Sequence, residues 1–175
     1  VGGAYDHEDA IRVGRALEKL DFLWLEEPLY DHDIYGLEKL TNKLDIPICA
    51  GEWNSDFFSK VNYLKNGAAD IIRADVSWTG GITGTLKSAH LAEGFGVNCE
   101  LHMTVLSLMD VANLHVALAI KNCRYFELPY PDGATFGIAQ PVAIDSCGYV
   151  SPSGAAGLGV ELDWDAIDRQ TVATI

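Results

Sequence analysis

Positive charge is scarce in this 175-residue sequence: 12 Lys and Arg against 25 Asp and Glu leave a formal net charge of −13 at pH 7. Such a balance repels phosphate backbones and anionic lipid surfaces, which argues against nucleic acid and membranes as partners. Long hydrophobic runs are missing as well. None approaches the roughly 18 apolar residues of a membrane span, and Val1-Gly2-Gly3-Ala4 has neither the basic nor the apolar part of a signal peptide. A cytoplasmic protein is expected. The four cysteines, Cys49, Cys99, Cys123 and Cys147, form no C-x-x-C pair, so reduced thiols are expected rather than a zinc site or a disulfide framework. No initiator Met opens the chain, and the sequence is expected to be a piece of a longer protein. Apolar residues are plentiful at 49%, enough for a globular core and too many for a disordered tail.

Along the chain, short apolar runs alternate with polar turns and amphipathic helices, the mark of βα units on a parallel sheet. Asp6 caps a first helix carrying Ala10, Val13, Leu17 and Leu20 at helical spacing, and Phe22–Leu25 is the first strand. Leu37, Leu40 and Leu44 share a helix face before a second strand, Ile46–Ala50; Phe57, Val61 and Leu64 mark a third helix, stopped by Asn66-Gly67. Ile71–Arg73, Val97–Leu101 and Arg124–Glu127 follow as strands, with helices through Leu86–Glu93 and Leu108–Ile120 between them. No G-x-G-x-x-G or Walker pattern surrounds Gly80-Gly81, so no phosphate loop is expected there. After Pro131 the rhythm gives way to a Gly- and Pro-rich tail with a helix near Trp164–Thr171. The fold class is α/β. About five strands cannot close a barrel, which needs about eight.

The chemistry concentrates where each strand ends: Glu26 and Glu27 after the first, Glu52 after the second, Asp75 after the third, His102 after the fourth and Glu127 at the fifth. The steps between Glu26, Glu52, Asp75, His102 and Glu127 are 26, 23, 27 and 25 residues, each about one βα unit. In a parallel barrel such ends form one face, where active sites of this architecture lie. Clustered carboxylates repel one another, a cost that a divalent cation offsets, and all-oxygen ligands suit Mg²⁺. Asp75 and His102, on neighbouring strands, can hydrogen-bond. Asp75 would then orient the imidazole and favour its protonated form, which makes His102 a general-base candidate. Arg73 and Glu100 each precede a catalytic candidate by two residues, so alternation turns both inward; they pair one layer below a metal, or Arg73 touches substrate. His7, His32, His90 and His115 read as helix or loop surface residues.

These residues resemble the enolase superfamily and, within it, the mandelate racemase subgroup, over nearly the whole chain. The resemblance rests on Trp24-Leu25-Glu26-Glu27-Pro28, Gly51-Glu52, Ala74-Asp75-Val76-Ser77-Trp78-Thr79-Gly80-Gly81, Glu100-Leu101-His102 and Tyr125-Phe126-Glu127, with Gly157-Leu158-Gly159-Val160 similar to the family's closing segment. It implies the C-terminal part of a (β/α)7β barrel, residues 1–131, followed by a tail, 132–175, that returns to an N-terminal capping domain outside this chain. It further implies Glu26 and Glu52 as Mg²⁺ ligands, with a third ligand upstream of Val1. His102 and Asp75 are then the catalytic dyad, Glu127 the hydrogen-bonding partner of the substrate carboxylate, and Arg73 and Trp78 substrate contacts. Glu27 is read as a carboxylate supporting the ligands or held in a salt bridge, with direct ligation as the alternative.

The reaction so implied is Mg²⁺-dependent abstraction of the proton α to a carboxylate through an enediolate. Dehydration of a sugar acid to a 2-keto-3-deoxy acid is the first expectation, because most members of this subgroup dehydrate acid sugars. Racemisation or epimerisation of a 2-hydroxy acid is the alternative. A homo-oligomer is expected from the family. The competing reading from another class is an inactive fragment or a binding domain, since the chain taken alone carries an incomplete metal site.

Overall fold

The computed structural model describes residues 2–104, 107–128 and 136–173. Among these residues, six helices and four strands follow in the order α1 (His7–Lys19), β1 (Leu25–Glu26), α2 (Ile34–Lys43), β2 (Ile48–Ala50), α3 (Phe57–Asn66), β3 (Ile71–Ala74), α4 (Gly81–Gly94), β4 (Asn98–Leu101), α5 (Leu108–Ala119) and α6 (Trp164–Gln170). Aspartates set several of the helix starts. Asp6, Asp33, Asp56 and Asp163 each accept a backbone N–H from the first turn of α1, α2, α3 and α6, satisfying donors that have no partner within the helix. Gly67, left-handed at φ 62°, closes α3 at the predicted Asn66-Gly67 stop.

The strands form one parallel sheet in sequence order, β1-β2-β3-β4, in register Leu25↔Ile48, Cys49↔Ile71 and Arg73↔Glu100. Leu25, Ile48, Ile72 and Leu101 are buried with Leu37, Leu40, Tyr63, Ala89, Ala92 and Val116 from the helices. This sheet–helix interface is the core. Because the order is sequential and parallel, every strand delivers its next residues to the same edge.

Three expectations shift. The first strand is only Leu25–Glu26, and Phe22 and Leu23 stand 55% and 60% exposed; Asp21, at φ 56°, turns the chain sharply just before them. Of the expected apolar trio on α3, Leu64 is buried, while Phe57 and Val61 are half-buried and Lys60 and Tyr63 fill the rest of the inward face. The fifth run, Arg124–Glu127, follows β4 without entering the ladder. Cys99 N–H does donate to Asn122 O at 2.7 Å, but the N–H groups of Arg124 and Tyr125 go to the Glu100 carboxylate, and Met103 N–H goes to Glu127 Oε2. Side-chain acceptors thus take donors that a ladder would use. Beyond it, the boundary expected at residue 131 lies outside the described residues. The tail contributes isolated antiparallel bridges, Ile138↔Leu162 and Ile144↔Val150, and is tied to α5 where His115 Nε2 meets Leu158 O at 3.1 Å.

Cys49 and Cys99 are buried free thiols, Cys123 is half-buried and Cys147 exposed. Among the described residues no helix is long and apolar enough to cross a membrane.

Candidate active site

At the exit of β1 the chain turns left-handed at Glu27, φ 42°, a conformation that costs about 1–2 kcal/mol for a residue with a Cβ. The turn sends the Glu27 side chain beneath the exit of β2, where Oε1 accepts N–H from Gly51 at 2.5 Å and from Glu52 at 2.8 Å. Glu27 therefore fixes the backbone that carries Glu52. Burial, reinforced by the charge of Glu52, pushes its carboxyl up to about 7. Nearby, Lys60 reaches up from α3, fully buried, and its Nζ donates to Gly51 O and, at 2.8 Å, to Arg73 O. Burial pushes its ammonium down to about 8. Composition gave no reason to look at Lys60; its spacing from Tyr63 and Leu64, on one helix face, was the available signal.

Arg73 points inward from β3, as alternation requires, and is 3% exposed. Its guanidinium binds three carboxylates: Nη2 lies 2.8 Å from Glu127 Oε2 and 3.2 Å from Glu26 Oε1, and Nε lies 3.6 Å from Glu52 Oε2. Nη1 donates to Leu101 O at 2.9 Å. Burial alone would lower its pKa, but Glu26 and Glu127 hold it above the ordinary value. Glu100, although its register partner, spends its carboxylate on Arg124, Tyr125 and Asn98 instead. The expected Arg73–Glu100 pair is replaced by an arginine among three glutamates. A cavity of about 240 Å³ opens among Trp24, Glu26, Arg73, Tyr125 and Glu127.

Beyond β3 and β4, His102 Nδ1 lies 2.9 Å from Asp75 Oδ2. Asp75 is fully buried, and its Oδ1 accepts Ser77 N–H at 2.7 Å and Asn113 Nδ2 at 3.1 Å. Burial would raise the Asp75 pKa, but these hydrogen bonds, that of His102 foremost, pull it below its ordinary value. For His102 burial acts downward and is outweighed by Asp75 and the charge of Glu52, leaving the imidazole raised. Its ring stacks on Trp78, centroids 5.0 Å apart and 25° from parallel, and Trp78 in turn lies 5.3 Å from Trp53. With Nδ1 committed to Asp75, Nε2 is the nitrogen left to exchange protons. It faces Glu52 Oε2 at 3.9 Å.

The structure thus gathers Glu26, Glu52, Asp75, His102, Glu127, Arg73 and Trp78 at one end of the sheet, with Glu27 beneath. Lys60, Asn113 and Trp53 are the neighbours that sequence reasoning missed. Glu26 and Glu52 come from successive strand ends, and Glu52 Oε2 is a buried acceptor with no hydrogen-bond donor among the described residues. Two hard oxygen donors with one lone pair unclaimed fit part of a magnesium site. Among the described residues no group of three His, Cys, Asp or Glu is placed to hold a metal ion.

A parallel α/β sheet with acidic residues and a His–Asp pair at its C-terminal edge is the arrangement in which barrel folds carry their active sites. Residues 1–166 match the family described as enolase C-terminal domain-like, and the chain belongs to that family. It is 36% identical over 115 residues to L-talarate/galactarate dehydratase of Salmonella typhimurium, covering 66% of this chain and 28% of that protein. It is 29% identical over 159 residues to the N-succinyl-L-Arg/Lys racemase of Bacillus cereus, covering 90% and 42%. Among solved structures, the D-glucarate dehydratase of Agrobacterium tumefaciens complexed with magnesium superposes with a TM-score of 0.83 at 36% identity, covering 94% of this chain and 44% of that one. The chain spans less than half the length of each of these relatives. They are acid-sugar dehydratases and racemases of the enolase superfamily, whose fold is a (β/α) barrel.

Proposed function

We propose that this chain supplies the catalytic half of a barrel enzyme that removes the proton α to a carboxylate, as the first step in dehydrating a sugar acid to a 2-keto-3-deoxy acid. The observation that carries the reading is the His102–Asp75 pair, with Nε2 3.9 Å from Glu52 Oε2, a member of the carboxylate group around Arg73. His102 takes the proton at Nε2, and Asp75 stabilises the imidazolium through Nδ1–H. Glu127, carrying a proton on the oxygen not bound by Arg73, donates a hydrogen bond to the substrate carboxylate as charge develops on its oxygens, and the stacked Trp78 bounds the space beside the imidazole. Arg73, held beneath the carboxylates, keeps Glu26 and Glu127 together. Glu26 and Glu52 would hold Mg²⁺ together with a further ligand outside this chain, and the bound ion would supply positive charge against the negative charge developing on the substrate. From the enediolate, the β-hydroxyl leaves as water on taking a proton from an acid such as the protonated His102, and the enol so formed tautomerises to the 2-keto-3-deoxy acid; delivery of a proton to the opposite face instead gives the epimer. The racemase among the relatives keeps that second outcome in view.

The test is Mg²⁺-dependent exchange of α-protons into D₂O by the protein at its natural length, with a panel of sugar acids and 2-hydroxy acids. Exchange with a sugar acid, abolished in His102→Asn, is expected. Absence of exchange with every acid overturns the reading in favour of a binding or inactive domain.

A further inference from the structure

We infer that Asn113, midway along α5, is a positioning residue for the His102–Asp75 pair. The inference rests on reading His102 as the proton acceptor. An asparagine inside a helix gains nothing from helix propensity, and an amide buried without partners costs free energy. Asn113 is fully buried, yet both of its N–H donors and its oxygen are used. Nδ2 donates to Asp75 Oδ1 at 3.1 Å and to His102 O at 3.0 Å, while Oδ1 accepts Val76 N–H at 3.0 Å.

The place of these contacts matters. The β3–β4 register ends at Ala74↔Leu101, with one further bond from His102 N–H to Ala74 O. Beyond that point the backbone ladder stops; the Asp75–His102 and Ser77–Thr104 side-chain contacts, both 2.9 Å, continue across the two segments, and the Asn113 amide bridges them from the helix side. It also sets the rotation of Asp75. With Oδ1 claimed by Asn113 and by Ser77 N–H, Oδ2 is the oxygen turned to His102 Nδ1. The carboxylate is held in the one orientation that keeps the imidazole protonated at Nδ1 and open at Nε2. Asn113 itself touches no site where substrate would sit, so it acts through Asp75 and through the His102 backbone.

Two variants of the natural-length protein, with Mg²⁺ present, test this. Asn113→Leu keeps the size and removes every hydrogen bond; Asn113→Asp keeps the shape and the acceptor for Val76 N–H but removes the amide donors. In both, kcat for α-proton exchange is expected to fall about 10- to 100-fold, the usual range when a supporting hydrogen bond is lost. KM should stay within about twofold. The ¹⁵N shifts of His102 should report a loss of the Nδ1-protonated tautomer, which a role confined to folding would not move. Folded variants with the wild-type tautomer overturn the inference, whether or not activity falls, and so does failure of both variants to fold. If the wild type exchanges no acid, the proposed function fails, and the tautomer measurement still decides the role of Asn113.

Discussion

Arg73 is a positive charge that three carboxylates share. Glu26, Glu52 and Glu127 lie within 3.2, 3.6 and 2.8 Å of its guanidinium, and removing it leaves them to repel one another in a partly buried site. Arg73→Met is expected to destabilise the metal-free protein by about 3 kcal/mol, the scale for a broken buried pair, as read from urea denaturation; unchanged stability would refute the arrangement. Lys60 makes a prediction in pH. Its folded pKa, about 8, lies below the ordinary 10.5, so the unfolded chain binds the extra proton between these values and stability rises with pH across that window. The stability of the wild type relative to Lys60→Met should therefore increase from pH 8 to pH 10.5 and level off below 8. A difference that is flat across the window would show that Lys60 is not held against its own charge. Arg73 was legible because strand alternation turns it inward. Lys60 was not, because a lysine in a helix is ordinarily solvated, and only the packed distance between Gly51 O and Arg73 O explains its burial.

At the scale of elements, the site depends on the loop between β3 and α4. Thr79 N–H donates to Asp75 O at 2.7 Å, and Asp75 N–H to Thr79 Oγ1 at 3.2 Å, folding the loop back over the dyad carboxylate. The first turn of α4 packs so closely beneath that a Cβ on Gly84 would sit 1.7 Å from Thr79 O. Gly84→Ala must displace that backbone. It is expected to cost about 3 kcal/mol, at the upper end for overpacking, and to slow α-proton exchange; a melting temperature and an exchange rate both equal to wild type would contradict the packing. The alternation of strands and helices was readable from hydrophobic period and Gly or Asp punctuation, because local propensity and burial agree there. The run Arg124–Glu127 looks like a fifth strand by the same criteria. What distinguishes it is Glu100, whose carboxylate takes the neighbouring N–H groups, a choice made across 24 residues of sequence.

For the whole molecule, the net charge of −13 and the crowding of carboxylates at one edge make cation binding the dominant electrostatic question. In the natural-length protein a chelator is expected to abolish exchange, and Mg²⁺ to restore it. Mg²⁺ at about 100 times its Kd should also stabilise the fold by about 2.7 kcal/mol. Residues 1–175 alone, holding only Glu26 and Glu52 of the ligand set, should show no such rise in calorimetry; an equal rise would mean that the site is complete within this chain.

The sequence by itself determined the parallel α/β order and the edge at which Glu26, Glu52, Asp75, His102 and Glu127 emerge, because each follows an apolar run by a step of one βα unit and a parallel sheet sends all such steps to the same side. It also determined the family, through motifs that are local. Only the tertiary structure decided how those groups pair. Arg73 chose three glutamates over Glu100, Lys60 found two carbonyls, and Asn113 reached from a helix to fasten Asp75. Those choices depend on distances between residues far apart in the chain, set by the packing of helices on the sheet, and no periodicity in the sequence encodes them.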